Sequence, residues 1–102
     1  MIANMSDHAH VTVTNNAERH RYEATDDSGL ILGFADYRER GDVVVFTHTE
    51  VDDAHEGQGV GSALAKGALD DVRSSGGTVK PACEFIAAYI ERHPDYQDLV
   101  AT

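Results

Sequence analysis

A glycine-rich turn is the segment of the sequence best suited to hold a ligand. Gly57, Gly59 and Gly61 alternate with Gln58 and Val60 between a β-rich run and a run with helical spacing. Glycine lets the backbone come close to a ligand, and the free N–H groups at the start of a helix attract an anion. The turn therefore predicts a pyrophosphate site, although the same string is also typical of a mobile connector.

The elements before this turn follow from the spacing of the apolar residues. Alternation and β-branched residues predict four strands, joined by short turns that favour an antiparallel meander: residues 10–14, 19–25, 30–38 and 43–51. Asn15-Asn16 is the predicted turn between the first two strands. A dinucleotide-binding Rossmann unit places its glycines after the first strand of a βαβ repeat, so four preceding strands argue against that fold.

After the turn the spacing becomes helical. Six apolar residues predict an amphipathic helix that Gly76-Gly77 ends: Val60, Leu64, Ala65, Ala68, Leu69 and Val72. Residues 78–81 predict a short strand, and apolar residues from Phe85 to Ile90 predict a second helix ended by Pro94. The predicted fold class is α+β, with the order β-β-β-β-α-β-α, in a single domain over residues 9–102 that follows a flexible leader at residues 1–8.

Length and composition narrow the function classes. A chain of 102 residues with 41% apolar residues has the size and composition of one globular domain. It contains neither an apolar run of about 20 residues nor a signal-like start, so we expect a cytoplasmic protein that is not bound to a membrane. Cys83 is the only cysteine, and no Cys and His cluster has metal-ligand spacing, so we expect no metal.

The formal net charge is −10, from 18 acidic and 8 basic residues. Binding to a nucleic-acid backbone depends on Lys and Arg, so we expect no nucleic-acid partner. An excess of carboxylates with few lysines is also expected of a protein from a high-salt cytoplasm, where surface charge is screened. A halophilic origin and an ordinary acidic protein therefore both stay open.

Three segments carry a resemblance to a known family. The segment from Val51 to Leu64 resembles the acetyl-CoA-binding segment of GNAT N-acetyltransferases, which reads Arg or Gln, two residues, Gly, one residue, then Gly or Ala. The run His48-Thr49-Glu50-Val51 and the pattern Pro81-x-Cys83-x-Phe85-Ile86-x-Ala88-Tyr89-Ile90-x-Arg92-His93-Pro94 are similar to a short GNAT-like subfamily of about this length. Together the resemblance covers residues 10–100. It implies a minimal GNAT fold, with a mostly antiparallel sheet of about five strands and two main helices.

The resemblance also implies a cofactor, acetyl-CoA. The strand that ends at Val51 would pair its backbone with the pantetheine arm, and the turn would hold the pyrophosphate. The implied binding residues are Val51, Gln58, Gly59, Val60, Gly61 and Ser62, the last through its hydroxyl. Glu56 departs from the family pattern, because a carboxylate repels a pyrophosphate at short range.

Four residues have a catalytic role that the resemblance implies. His48 and Glu50 lie two apart on one strand and so project to the same face, where either serves as general base for an amine. Cys83 lies at the start of the second helix, which stabilises a thiolate, so it accepts an acetyl group transiently or forms a mixed disulfide with coenzyme A. Tyr89 lies near the family's proton-donating tyrosine. Purely structural roles stay open for all four: a solvated strand end, a histidine bonded within the sheet, an inert core thiol and a core aromatic.

The resemblance predicts an open acceptor side. A full GNAT domain has two helices between its first two strands, whereas this sequence has only a short turn there. The acceptor is then a small-molecule or protein amine, and the chain is a monomer or a homodimer. Two functions follow: an acetyl-CoA-dependent N-acetyltransferase, or a module that binds or senses acetyl-CoA without catalysis.

Overall fold

The computed structural model describes residues 11–52 and 59–101, and its central element is a five-stranded sheet. In spatial order the strands are β1 (Thr12–Asn16), β2 (Arg21–Thr25), β3 (Ile31–Arg40), β4 (Val43–Val51) and β5 (Thr78–Pro81). Strands β1 to β4 pair antiparallel, and β5 runs parallel to β4. The predicted meander and the mostly antiparallel sheet are confirmed. The predicted leader lies outside the described residues.

Two α-helices cover one face of this sheet. They are α1 (Val60–Ser74) and α2 (Glu84–Arg92), and α1 contacts all five strands. The buried residues of α1 are the six that the apolar spacing predicts: Val60, Leu64, Ala65, Ala68, Leu69 and Val72. Burial of one leucine contributes about 1.5–3 kcal/mol, so this stripe holds the helix on the sheet. The helix ends at Ser74, and Gly76 follows in the left-handed conformation with φ 80°.

The C-terminal segment adds an element that the sequence does not predict. A 3-10 helix, Pro94–Leu99, follows α2, and its Tyr96 and Leu99 side chains are buried. The N–H of Ala101 then donates to the Val79 carbonyl oxygen at 2.8 Å, next to a parallel bridge between Val79 and Val100. The last residues therefore cover part of the outer edge of β5.

The first predicted turn is wrong by a few residues. Asn15 and Asn16 belong to β1, and the chain reverses at residues 17–20 instead. The Asn15 side chain accepts a hydrogen bond from the Tyr37 hydroxyl at 2.7 Å, and the Asn16 amide donates to Glu23 at 3.2 Å. These cross-strand bonds keep both asparagines extended, so their usual turn preference is overridden.

A β-bulge at Thr47 decides which β4 side chains face the helices. Asp36 pairs with His48 and Tyr37 pairs with Phe46, so Thr47 has no partner on β3. The extra residue reverses the alternation, so Phe46 points into the core while His48 and Glu50 point away from it. We call the sheet face opposite α1 the open face. Register and alternation place on it, among others, Arg21, Glu23, Phe34, Asp36, Arg38, Arg40, Val43, Val45, His48, Glu50 and Lys80.

Candidate functional site

The parallel strands β4 and β5 separate halfway along β4. Their pairing ends at Phe46 and Pro81, and the Cys83 N–H then donates to the Phe46 carbonyl oxygen at 2.9 Å. Beyond that bond β4 continues to Val51 while the chain after β5 enters α2. The side of β4 from Thr47 to Val51 that faces away from β3 is therefore outside the β4–β5 ladder. An extended ligand can pair with the backbone there.

The start of α1 follows β4 in the chain and contacts the start of α2. Gly59 precedes the helix with φ 81°, a left-handed conformation that favours glycine. No side-chain hydrogen bond caps the helix within the described residues, and its first turn contains no acidic residue. Its first N–H groups remain available to an anion, and the exposed Ser62 lies among them. Gln58 and Glu56, the other residues predicted to influence this site, lie outside the described residues.

The starts of α1 and α2 touch through Gly61 and Phe85. A Cβ added at Gly61 would lie 2.7 Å from Cζ of the Phe85 ring, so only glycine leaves room for the ring. Phe85 is nevertheless 39% exposed. Its ring therefore lies over the first turn of α1 at the surface, and not in the core.

His48 and Glu50 lie together on the open face, as the strand spacing predicts. The His48 Nε2 and a Glu50 carboxylate oxygen are 2.7 Å apart, and both side chains are more than half exposed (55% and 61%). Asp36 pairs with His48 across β3, and the Phe34 ring lies 6.2 Å from the His48 ring. With the proton on Nε2, His48 donates to Glu50 and its Nδ1 remains an acceptor. The pair is suited to take a proton from a nearby amine.

Cys83 lies on the opposite side of β4. It occupies the N-cap position of α2, its side chain is buried, and its Sγ is 3.2 Å from the Thr49 hydroxyl oxygen. Thr49 lies between His48 and Glu50 in sequence and so points to the helix side of the strand. The predicted position at the start of the second helix is therefore confirmed, but the thiol does not share a face with the His48–Glu50 pair.

Tyr89 packs inside the layer formed by α2 and the 3-10 helix. Its side chain is 8% exposed, and its ring stacks on His93 with centroids 4.0 Å apart. His93 Nδ1 lies 2.8 Å from the Tyr89 carbonyl oxygen at the end of α2. Within the described residues the Tyr89 hydroxyl has no hydrogen-bond partner. Burial is the first cause that raises the pKa of Tyr89 above its usual value, so the phenol keeps its proton at neutral pH.

The structure thus brings two of the four predicted catalytic residues into direct contact and separates the other two from them. Their catalytic roles, and the binding roles of Val51, Val60 and the other predicted residues, stay predictions. Thr49 and Phe85 are the contributors that sequence reasoning missed, because both act through tertiary contacts. In residues 11–52 and 59–101, no group of three His, Cys, Asp or Glu side chains is arranged to hold a metal ion. Neither α1 nor any other helix in those ranges has the length and apolar character of a membrane-spanning helix.

Comparison with known protein families gives a match over most of the chain. The model of the GCN5-related N-acetyltransferase family matches residues 21–99. Protein NATD1 of chicken and of mouse is 38% identical to this chain over 52 residues, which is 51% of the chain. The chain spans about half the length of these curated relatives, since the match covers 47% of each.

Comparison with solved structures shows the same architecture. A GCN5-like protein from Staphylococcus aureus superimposes with a TM-score of 0.68 at 26% identity, over 95% of this chain and 91% of that one. The ribosomal-protein-S18-alanine N-acetyltransferase of Escherichia coli gives a TM-score of 0.60 at 21% identity, over 76% of this chain and 54% of that one. The second similarity concerns the fold alone.

Proposed function

The chain belongs to the family of GCN5-related N-acetyltransferases, and we propose that it transfers an acetyl group from acetyl-CoA to an amine acceptor. The observation that carries this proposal is the separation of β4 from β5 after Phe46. It leaves a strand edge for an extended cofactor, beside a helix start that no described side chain caps, with the His48–Glu50 pair on the adjoining face. These are the parts that acetyl transfer to an amine needs: a cofactor cradle and a base.

The described residues fit the chemistry of acetyl-CoA. Its pantetheine arm carries amide groups, which pair with the free backbone groups of β4 up to Val51. Its pyrophosphate is an anion, and the N–H groups at Gly59, Val60 and Gly61 are directed at such a group without an opposing carboxylate in the first turn. Ser62 adds a hydroxyl donor. The cofactor supplies the activated acetyl group, and the residues of this chain bind and orient the cofactor.

The His48–Glu50 pair supplies the base. The attacking amine must lose a proton as its nitrogen bonds to the thioester carbonyl carbon and the bond from that carbon to sulfur breaks. Glu50 fixes the His48 ring through the 2.7 Å contact, so the second ring nitrogen is oriented to accept that proton. The departing thiolate takes a proton from a donor, for which we propose the hydroxyl of Tyr89.

Direct transfer is preferred over a route through Cys83. The thiol is buried and contacts Thr49 on the helix side, whereas the proposed base lies on the open face. An acetylated Cys83 would still need deprotonation of the acceptor amine on that helix side, away from His48. Mass spectrometry after incubation with acetyl-CoA tests the covalent route, because an adduct that disappears in Cys83→Ser would support it.

A thiol-release assay tests the proposal. Purified protein with acetyl-CoA and a panel of amines should release free thiol, and both Glu50→Gln and His48→Asn should lower kcat by about a hundredfold, the usual contribution of a general base. Glu91→Gln is the matched control, since Glu91 is an exposed carboxylate on α2. Equal activity in all variants would contradict the role of the pair.

The second candidate function is a binding or sensing module for acetyl-CoA. The four-residue reversal between β1 and β2 favours it, because helices that would wall the acceptor side are missing from that connection. Acetyl-CoA would then raise the melting temperature although no amine releases thiol. A protein whose melting temperature does not respond to acetyl-CoA would exclude both functions.

A further inference from the structure

Basic residues collect on the open face of a strongly acidic protein. The chain has 8 basic and 18 acidic residues. Alternation and register nevertheless place four of the basic ones on the open face: Arg21, Arg38, Arg40 and Lys80. The same face carries three carboxylates, Glu23, Asp36 and Glu50, so its basic residues outnumber its acidic ones, unlike those of the whole chain.

Among the described residues, three arginines of this region have no carboxylate partner. Arg21 is paired with Glu23 and lies over the Phe34 ring. Arg19, Arg38 and Arg40, in contrast, form no ion pair with any residue in 11–52 or 59–101. Unpaired guanidinium groups are strong donors for carboxylate and phosphate oxygens, which they bind in a bidentate geometry.

These three arginines line one cavity. It has a volume of about 620 Å³ and is bordered by Arg38 and Arg40 from β3, Arg19 from the turn before β2, and Thr47 at the bulge of β4. Asp36 and Glu39 also border it. Glu39 alternates to the other face of β3, so its carboxylate is directed away from Arg38 and Arg40. Asp36 lies at the end of the cavity next to His48.

We propose that this cavity binds the anionic group of the acceptor, so that the acceptor is an amine that also carries a carboxylate or a phosphate. The inference rests on the proposed acetyl transfer. The acceptor's amine would lie at the His48–Asp36 end of the open face, where a cation is favoured by Asp36 and Glu50. Its anionic group would lie among Arg19, Arg38 and Arg40.

The strand geometry sets the length of this acceptor. Arg38 and Arg40 follow Asp36 by two and four residues on one strand face, which corresponds to about 7 and 13 Å. An extended chain advances about 3.5 Å for every three bonds. The amine and the anion should therefore be separated by at least about six bonds, as in 6-aminohexanoate or a lysine side chain with a nearby acidic residue. β-Alanine is too short.

The cofactor's own phosphates do not account for the cavity. The anion-attracting start of α1 follows Val51, the last residue of β4. The cavity borders the other half of β4, at Thr47, and His48 and Glu50 lie between the two. A cofactor with its pyrophosphate at α1 and its thioester near His48 would end before it reaches Arg38.

Kinetics with matched amines test the proposal. The rate constant kcat/KM should be about three- to tenfold higher for 6-aminohexanoate than for hexylamine, the range expected for exposed charge-assisted contacts. Arg38→Gln and Arg40→Gln should remove this preference, Arg38→Lys should retain part of it, and Arg92→Gln, an exposed arginine at the end of α2, should leave it unchanged. 6-Aminohexyl phosphate, compared in the same way, shows which anion is preferred. Equal kcat/KM for hexylamine and both anionic amines, or a preference that survives both Gln substitutions, would overturn the proposal.

A binding measurement separates this inference from the proposed function. Titration of ¹⁵N-labelled protein with 6-aminohexanoate should shift the amide signals of residues 36–40 and Thr47, and Arg38→Gln should abolish the shifts. If no amine is acetylated but these shifts occur, the anion site stands and the acetyl transfer is refuted. If acetylation occurs without such shifts, the transfer stands and the anion site is refuted.

Discussion

Replacing Gly61 with alanine tests whether Phe85 closes the first turn of α1. The new Cβ would lie 2.7 Å from the ring Cζ and 3.3 Å from Cε1, so the ring must leave. Phe85 is 39% exposed and can turn into solvent. Because full burial of such a side chain contributes about 1.5–3 kcal/mol, loss of the buried part costs about 1–2 kcal/mol. Alanine offsets about 0.5–1 kcal/mol of this through its higher helix propensity.

A sharper test is that Gly61→Ala should change from destabilising to stabilising when Phe85 is also replaced. With Phe85→Ala already present, Gly61→Ala meets no ring and should stabilise the protein by about 0.5–1 kcal/mol, which gives a coupling energy of about 1–2 kcal/mol. Urea unfolding of the four proteins of this cycle measures it, and Ser62→Ala, an exposed neighbour, controls for propensity alone. Stabilisation by the same amount in both backgrounds would show that Phe85 does not occupy this position.

Three further changes follow from other contacts. Gly59→Ala should cost about 1–2 kcal/mol in urea unfolding because of its φ of 81°, and an unchanged midpoint would refute that. Gly67→Ala should destabilise the protein because its Cβ would lie 2.7 Å from the Cβ of Val13 on β1, and in urea unfolding it should cost less in a Val13→Gly background, which lacks that Cβ. Burial and the Asp71 hydrogen bond raise the pKa of Tyr22. Its contribution to stability is present below about pH 10, the unfolded value, and is lost as the pH rises further. Urea unfolding between pH 9 and 11 should show this decline in the free energy of unfolding. In Tyr22→Phe the slope of that free energy against pH should be smaller, by an amount that corresponds to one proton.

The helices and strands were predictable where one physical rule dominates. The apolar stripe of α1 is a helical period, and its six members are all buried. Strands β4 and β5 have the predicted bounds, because each is a run with β-branched residues that is flanked by turn residues. The turn after β1 was misplaced because Asn15 and Asn16 bond across the sheet, and no local propensity reports such a bond.

The candidate site was predictable only in part, for a related reason. Two residues spaced by two on a strand share a face, so the His48–Glu50 contact follows from the sequence. Which face they share depends on Thr47, and no residue type marks a bulge. The contact of Thr49 with Cys83 spans 34 positions, and the cavity of the unpaired arginines joins a turn to two strands. Contacts between residues so far apart in sequence depend on the register of the strands, which is known only from the folded sheet.

The bulge at Thr47 also bears on how the proposed transfer works. In a regular strand, alternation from the buried Phe46 would place His48 and Glu50 on the helix side and Thr49 on the open face. The extra residue exchanges these positions, so the proposed base lies in solvent beside the arginine-lined cavity while Thr49 meets the thiol of Cys83. An acceptor with a charged amine and an anionic group can reach His48 from the open face without passing the core. The same arrangement keeps Cys83 on the side of β4 away from His48 and Glu50, which favours a single direct transfer over an acetylated cysteine.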